Sequence, residues 1–399
     1  MEQASIAGIL VAGTGPAGLI SALALTKAGF SVTLIGPPAR TDDRRTTALM
    51  APSLRFLEEL GVLGQLRGKA APLRAMRIAD ATNRILRSPT VTFRASEIDE
   101  EEFGLNVPNG HLTEVLASAV VAEPLVSWKT GLVEEWQPQE DRIVARLEGG
   151  KTVSGLLAVA ADGRMSPARA AAGIEIRSRG SGQSALVLSF AHSRDHGFVS
   201  TEFHTETGPF TQVPLPGKRS SLVWVVRPEQ AADLSMKDDA ELSRLVEERM
   251  QSMLGRVEVE PGRQVYPLSS ALPQRFAQSR IALVGEAAHV FPPIGAQGLN
   301  LGIRDVQELV GIAADNRDDP GAPEALADYD RRRRPDILAR AGAVDMLNRS
   351  LLSNLLPAQF ARSAGLALLG RVAPLRAFFM REGLKTGSGF GNLFSALGK

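Results

Sequence analysis

The sequence predicts an α/β fold: a nucleotide-binding α/β region, an inserted β-rich block and a helical C-terminal segment. Three observations predict it. The chain opens on an apolar run, a glycine-rich turn and a helix-like run. Long strand patterns fill residues 176–275, and helical, basic sequence closes the chain from residue 331. At 399 residues there is enough chain to bury a large core.

The opening justifies itself element by element. Ile6–Ala12 is a short apolar run of the kind that makes a buried parallel strand. Gly13-Thr14-Gly15-Pro16-Ala17-Gly18 follows, then helical spacing from Leu19 to Ala28, with Gly29 as its stop. Ser31–Ile35 is the second strand. In this βαβ setting the glycines divide the work. Gly13 permits the tight turn, Gly15 the approach of a pyrophosphate, and Gly18 the packing of helix on strand. The unit is Rossmann-like, and a phosphate would rest on the helix N-terminus beside Ala17. An acidic residue usually ends the second strand and holds the ribose. Here Gly36 stands there, which leaves Asp42 or Asp43 to substitute from the next loop.

Residues 74–94 alternate like strands, Leu112–Val121 reads as a helix, and Val126–Val159 is β-rich. Asp162-Gly163 then forms an acid–glycine turn that opens a helix through Arg169. Ala185–Phe190 and Ser221–Val226 are the clearest strands of the inserted block, and Leu234–Leu254 is one amphipathic helix. Arg280–Val284 is a strand, and Leu301–Leu309 a helix. Between them runs the loop Gly285-Glu286-Ala287-Ala288-His289-Val290-Phe291-Pro292-Pro293-Ile294-Gly295-Ala296-Gln297-Gly298-Leu299-Asn300, whose small residues let backbone approach a flat ligand. From Asp328 the chain is helical, with breaks at Pro335, Pro357 and Pro374.

Composition narrows the function classes. The absence of cysteine excludes disulfides, thiolate catalysis and Cys-ligated metals, and fits a reducing cytoplasm. Five scattered histidines lack metal-ligand spacing, so no metal is expected. A net charge of +1 argues against nucleic acid. That balance hides an asymmetry: from Arg331 onward twelve Lys or Arg face three acids, a tail of +9 against −8 elsewhere. No apolar run reaches the roughly 20 residues a membrane span needs, and the N-terminus has no basic leader. The Arg331–Arg334 run reads as a solvated helix face or a contact with an anionic membrane. The apolar stretches 351–356 and 364–369 fit either that surface or ordinary helix packing.

The glycine motif at 13–18, the Asp162-Gly163 turn and the 285–300 loop, in that order, resemble the FAD-dependent monooxygenases of the para-hydroxybenzoate hydroxylase type. Residues 43–49, 183–185, 220–224 and 347–381 resemble their ubiquinone-biosynthesis branch. The resemblance implies an FAD-binding domain from 1–72, 100–175 and 276–330, a β-rich substrate domain from 73–99 and 176–275, and C-terminal helices over 331–399. It implies that Gly13, Gly15, Ala17, Gly18, Arg45, Asn109, Asp162, Gly163, Arg169, Gly285, Glu286, Gly298, Leu299 and Asn300 bind FAD. Pro293 would lie at the reactive flavin edge. His289 is either a general base or a structural hydrogen-bonder. Glu286 stands where the family pattern has Asp, and Ala296 where many relatives have Gly.

The implied activity is ring hydroxylation with NAD(P)H as co-substrate and O2, on a polyprenylated ubiquinone precursor. The protein would be a monomer or homodimer, cytoplasmic or peripheral on the inner membrane. The alternatives are a hydroxylase of a small soluble aromatic, a flavin-dependent isoprenoid reductase, and a degenerate flavoprotein scaffold.

Overall fold

A computed structural model describes residues 7–82, 88–292, 298–352 and 372–384, together with Gly365 and Leu368. The strands are β1 (Ala7–Ala12), β2 (Val32–Ile35), β3 (Thr46–Met50), β4 (Ala71–Leu73), β5 (Ala75–Asp80), β6 (Val91–Arg94) and β7 (Gly104–Pro108). They continue as β8 (Val126–Lys129), β9 (Val133–Pro138), β10 (Ile143–Leu147), β11 (Thr152–Ala160), β12 (Ile176–His192) and β13 (Val199–Thr205). The remainder are β14 (Gly208–Leu215), β15 (Arg219–Val226), β16 (Val257–Val259), β17 (Gln264–Pro273), β18 (Ala277–Gln278) and β19 (Ile281–Leu283). The helices are α1 (Pro16–Lys27), α2 (Ala51–Glu59), α3 (Leu63–Arg67), α4 (Asn109–Ala122) and α5 (Pro167–Ala171). After them come α6 (Pro228–Met236), α7 (Asp239–Arg249), α8 (Gly298–Asp315), α9 (Pro323–Leu352) and α10 (Ala373–Leu384).

The first sheet runs β18-β19-β11-β1-β2-β8 and is parallel from β19 to β8. Ile9, Leu10 and Val11 are completely enclosed, in one core with side chains of α1, α8 and the β9–β10 hairpin. Leu283, Ala160, Ala12 and Ile35 stand side by side in register at its C-terminal edge. That alignment puts the turns after β1, β11 and β19 next to one another.

The second sheet runs β16-β12-β15-β14-β13-β5-β6, with β17 also on β12. Side chains alternate across it. Leu186, Leu188, Phe190, Phe210, Leu222 and Trp224 form a core with α6 and α7. Ala185, Val187, Val223 and Val225 point to the opposite face. Three strands, β3-β7-β4, make a small third sheet between the two large ones. Thr46 of β3 meets Ser221 of β15 at 2.9 Å between hydroxyls, and Asn106 Nδ2 of β7 donates to the Pro214 carbonyl.

Three expectations need correction. Residues 234–254 are not one helix: Asp238 caps a new helix by accepting the Glu241 N–H at 2.7 Å, which breaks the apolar period. Pro335 does not end its helix but lies inside the 30-residue α9. The Arg331–Arg334 run is a solvated face only in part: Arg331, Arg332 and Arg334 reach solvent and pair with carboxylates there, whereas Arg333 is buried. Pro374 does mark a start, in the first turn of α10. Pro357, and the apolar stretches beyond Leu352 apart from Gly365 and Leu368, lie outside the described residues. Helix α10 packs on the 95–103 segment through Met380, and Arg376 Nε donates to Glu97 at 2.6 Å.

Candidate cofactor and active site

Three turns meet at the C-terminal edge of the first sheet, the place where open α/β sheets bind ligands. Gly13 turns the chain with φ +107°, and a methyl group there would lie 2.2 Å from the Ala161 carbonyl oxygen. Gly18 is equally tight, 2.0 Å from Gly13 O by the same measure. Around Gly15, by contrast, there is open space, and Gly15 is exposed. Helix α1 starts there with Pro16 at its first position and no side-chain cap. Its first N–H groups are therefore left for a ligand, and the helix dipole favours an anion.

The second turn carries Asp162 and Gly163 directly after β11. Asp162 Oδ2 accepts the Ala168 N–H at 3.1 Å, while Oδ1 is buried with no hydrogen-bond partner in the protein. Burial raises the pKa of this carboxyl against the pull of Ser166 and Ala168. Such an atom wants a hydroxyl donor from a ligand. Arg169 is turned away from this gap: its guanidinium donates to the carbonyls of Ala287 and Arg164, bracing the second turn against the third.

The third turn, Gly285–Ala287, packs on α1, since a methyl group on Gly285 would lie 3.0 Å from Ala17 Cβ. Gly302 of α8 approaches Gly285 on the same terms, at 3.2 Å from its Cα. Glu286 alone in this turn is exposed. His289 is enclosed: its Nε2 bonds to Asp305 Oδ2 at 2.7 Å, its Nδ1 is buried, and its ring stacks on Phe291. That is the setting of a structural hydrogen-bonder. Pro293, Gly295 and Ala296 lie outside the described residues. Gly298, Leu299 and Asn300 open α8. The Asn300 side chain accepts from Met50 N and Ser53 Oγ and donates to Ala48 O, tying α8 to the junction of β3 and α2.

A fourth group borders these turns. Arg45 holds Asp43 through both carboxylate oxygens, at 2.7 to 3.1 Å. Asn109 in the first turn of α4 donates to the same carboxylate and accepts from Thr47. Burial works against the Asp43 charge, and these partners outweigh it to keep its pKa low. Arg45 also lies over Tyr266, 5.0 Å from the ring centre, and within electrostatic reach of Glu286. Neither proposed substitute for the ribose acid is free: Asp43 is committed to Arg45, and Asp42 pairs with Arg40 on the surface. At Gly36 a methyl group would lie 2.8 Å from Thr14 Cγ2, so a carboxylate there would require Thr14 to shift.

A cleft of about 590 Å³ lies between Arg44, Arg45, Thr46 and Pro108 on one wall and Val187, Ser189, Arg219 and Gln264 on the other. The open Gly15 cradle, the uncapped α1, the orphaned Asp162 oxygen and the exposed Glu286 together suit a ligand with a pyrophosphate and a polyol, as FAD has. The residues present fit that group.

Sequence reasoning missed Asp305 and Arg333. Asp305 lies on the apolar stripe of α8, four residues after Leu301 and four before Leu309, and an ionisable residue on a buried stripe was the available signal.

The site is that of a dinucleotide-dependent oxidoreductase, and comparison with known proteins narrows the class to flavin monooxygenases. Residues 7–341 match the FAD binding domain family, and this chain belongs to it as an FAD-dependent hydroxylase. It is 33% identical over 391 residues to ubiquinone hydroxylase UbiL of Rhodospirillum rubrum, covering 96% of this chain and 90% of that one. It is 29% identical to the 3-demethoxyubiquinol 3-hydroxylase of Escherichia coli, covering 94% and 97%. In fold it is similar to the p-nitrophenol 4-monooxygenase of Pseudomonas putida, with a TM-score of 0.76 at 21% identity, covering 95% and 96%.

Proposed function

We propose that this chain hydroxylates the ring of a polyprenylated ubiquinone precursor, using NAD(P)H and O2. The observation that carries the substrate class is the inner face of the second sheet. Ala185, Val187, Val223, Val225 and Leu268 form an apolar cluster there. Ser221 shares that face and bonds to Thr46, so the face looks toward the cofactor turns. A neutral, electron-rich ring with a hydrocarbon tail suits such a wall. The names of the two relatives point to the same class of substrate.

Bound FAD supplies the redox chemistry that couples NAD(P)H oxidation to O2. The protein's part is to hold, orient and dry the site. Gly15, Ala17 and Gly18 receive the pyrophosphate at the start of α1, with Gly13 shaping the turn. Asp162 Oδ1 and Glu286 accept hydrogen bonds from ligand hydroxyls. The N–H groups of Gly298, Leu299 and Asn300, at the positive end of α8, stabilise negative charge on the flavin edge. Arg45 and Asn109, fixed by Asp43, border the phosphate and ribityl region. Gly163, Arg169 and Gly285 keep the second and third turns in contact. The β-rich unit of 73–99 and 176–275 serves as the substrate side.

No helix among the described residues is long and apolar enough to cross a membrane. We assign the C-terminal segment to the membrane surface, supported by its excess of basic over acidic residues and by exposed Leu338, Leu368 and Val372. Quinone profiling of a strain lacking this protein tests the proposal. It should accumulate a prenylated ring missing one hydroxyl; an unchanged quinone profile sinks the substrate assignment.

A further inference from the structure

Behind the Gly285 turn, α8 and α9 bury a cluster of charges that the chemistry above does not use. Asp305 is wholly enclosed, and its two oxygens serve different partners. Oδ2 accepts the Gly285 backbone N–H at 3.0 Å and bonds His289 Nε2 at 2.7 Å. Oδ1 accepts Arg333 Nε at 2.8 Å. Arg333 comes from α9, itself buried, and donates from Nη1 to Asp336 at 3.0 Å. One turn earlier, Tyr329 donates its hydroxyl to the carbonyl of Leu283, the last residue of β19, at 2.7 Å. Among the described residues, the bonds named from this cluster toward the sheet end on β19 or on the 285–289 segment that follows it.

Such a cluster is an inefficient way to stabilise a core, because apolar side chains of similar volume do as well or better. Apolar packing, however, cannot direct a backbone N–H. Asp305 gives the Gly285 N–H an acceptor in a fixed direction, and Arg333 prevents that acceptor from moving. The turn so fixed carries Glu286, and it touches Ala17 at the mouth of the phosphate cradle. A shift of the turn is thus felt at both halves of the cofactor site.

We infer that Asp305 and Arg333 are positioning residues for FAD, setting the backbone of the 285–287 turn and through it the place of Glu286. The inference rests on the reading that this turn touches FAD. Its test is FAD titration of the full-length apoprotein, with the visible circular dichroism of the bound flavin and the thermal midpoint read in parallel. Arg333→Met should weaken FAD binding by about tenfold and change the flavin dichroism, the size of effect expected when coupled neighbours lose contact. A purely structural role would lower the thermal midpoint and leave affinity and dichroism of the folded fraction unchanged, which would overturn the inference. Should Arg333→Met fail to fold, the double variant Asp305→Asn with Arg333→Met removes both charges and decides. It should fold and still bind FAD weakly with altered dichroism, and wild-type binding would overturn the inference. Glu286→Ala, which removes the acceptor, separates the two levels. If it weakens binding while both Arg333 variants do not, positioning alone is wrong. If it too leaves FAD binding unchanged, the turn does not contact FAD and the inference falls with that reading.

Discussion

The Arg333–Asp305–His289 cluster and the Arg45–Asp43–Asn109 cluster are built from the same parts, a guanidinium, a carboxylate and a side-chain nitrogen. They differ in exposure. Asp305 and Arg333 side chains are 0% and 3% exposed, whereas those of Asp43 and Arg45 are 22% and 44% exposed. In both, partners keep the carboxylate pKa low against burial. In the enclosed cluster each charge depends wholly on its protein partners, so it holds one geometry. In the half-open one solvent reaches the same groups, so its geometry is held less tightly.

Breaking the enclosed cluster should have the largest effect. Asp305→Ala leaves Arg333 buried without its carboxylate and should cost about 3–5 kcal/mol of stability, read as a lowered denaturant midpoint. A loss near zero would mean that water reaches the site. Next comes Gly13→Ala, where a methyl group would overlap the Ala161 carbonyl. It should cost about 1–3 kcal/mol from its positive φ alone, with FAD binding lost in a spectral titration. Arg45→Met should behave oppositely to Asp305→Ala, weakening FAD by about 1–3 kcal/mol with little change in thermal midpoint. Equal losses of stability in the two variants would erase the distinction between the clusters.

A third network sharpens it, buried yet built around a neutral histidine. His192 bonds to Arg194 O and Ser220 Oγ inside the second sheet, and burial lowers its pKa. A histidine with a depressed folded value contributes stability above its unfolded value, and that contribution is lost as pH falls below about 6.5 toward the folded value. Unfolding free energy should therefore decline from neutrality toward acid, and His192→Gln should flatten that decline. The smallest effect belongs to Asp42→Asn on the surface, where neither stability nor FAD affinity should change measurably.

The glycine turn at the start of α1 was legible in sequence because local sterics fix it: Gly13 and Gly18 each meet backbone too closely for a side chain. The enclosed cluster was not. Arg333 sits in a run of four arginines and looks like surface, and its partner is 28 residues away on another helix. The break at Asp238 was a capping signal overridden by an apolar period that carried on past it. Pro335 was overvalued as a breaker, since the packing of α9 on α8 holds the helix through it.

The central claim is that this site inserts oxygen into a prenylated ring. The direct measurement is mass spectrometry of the product formed from a prenylated phenol by the FAD-loaded protein with NAD(P)H under ¹⁸O2. One labelled oxygen on the ring is the predicted result. Oxidation of NAD(P)H that yields an unlabelled ring, or a product reduced at a double bond, would contradict it.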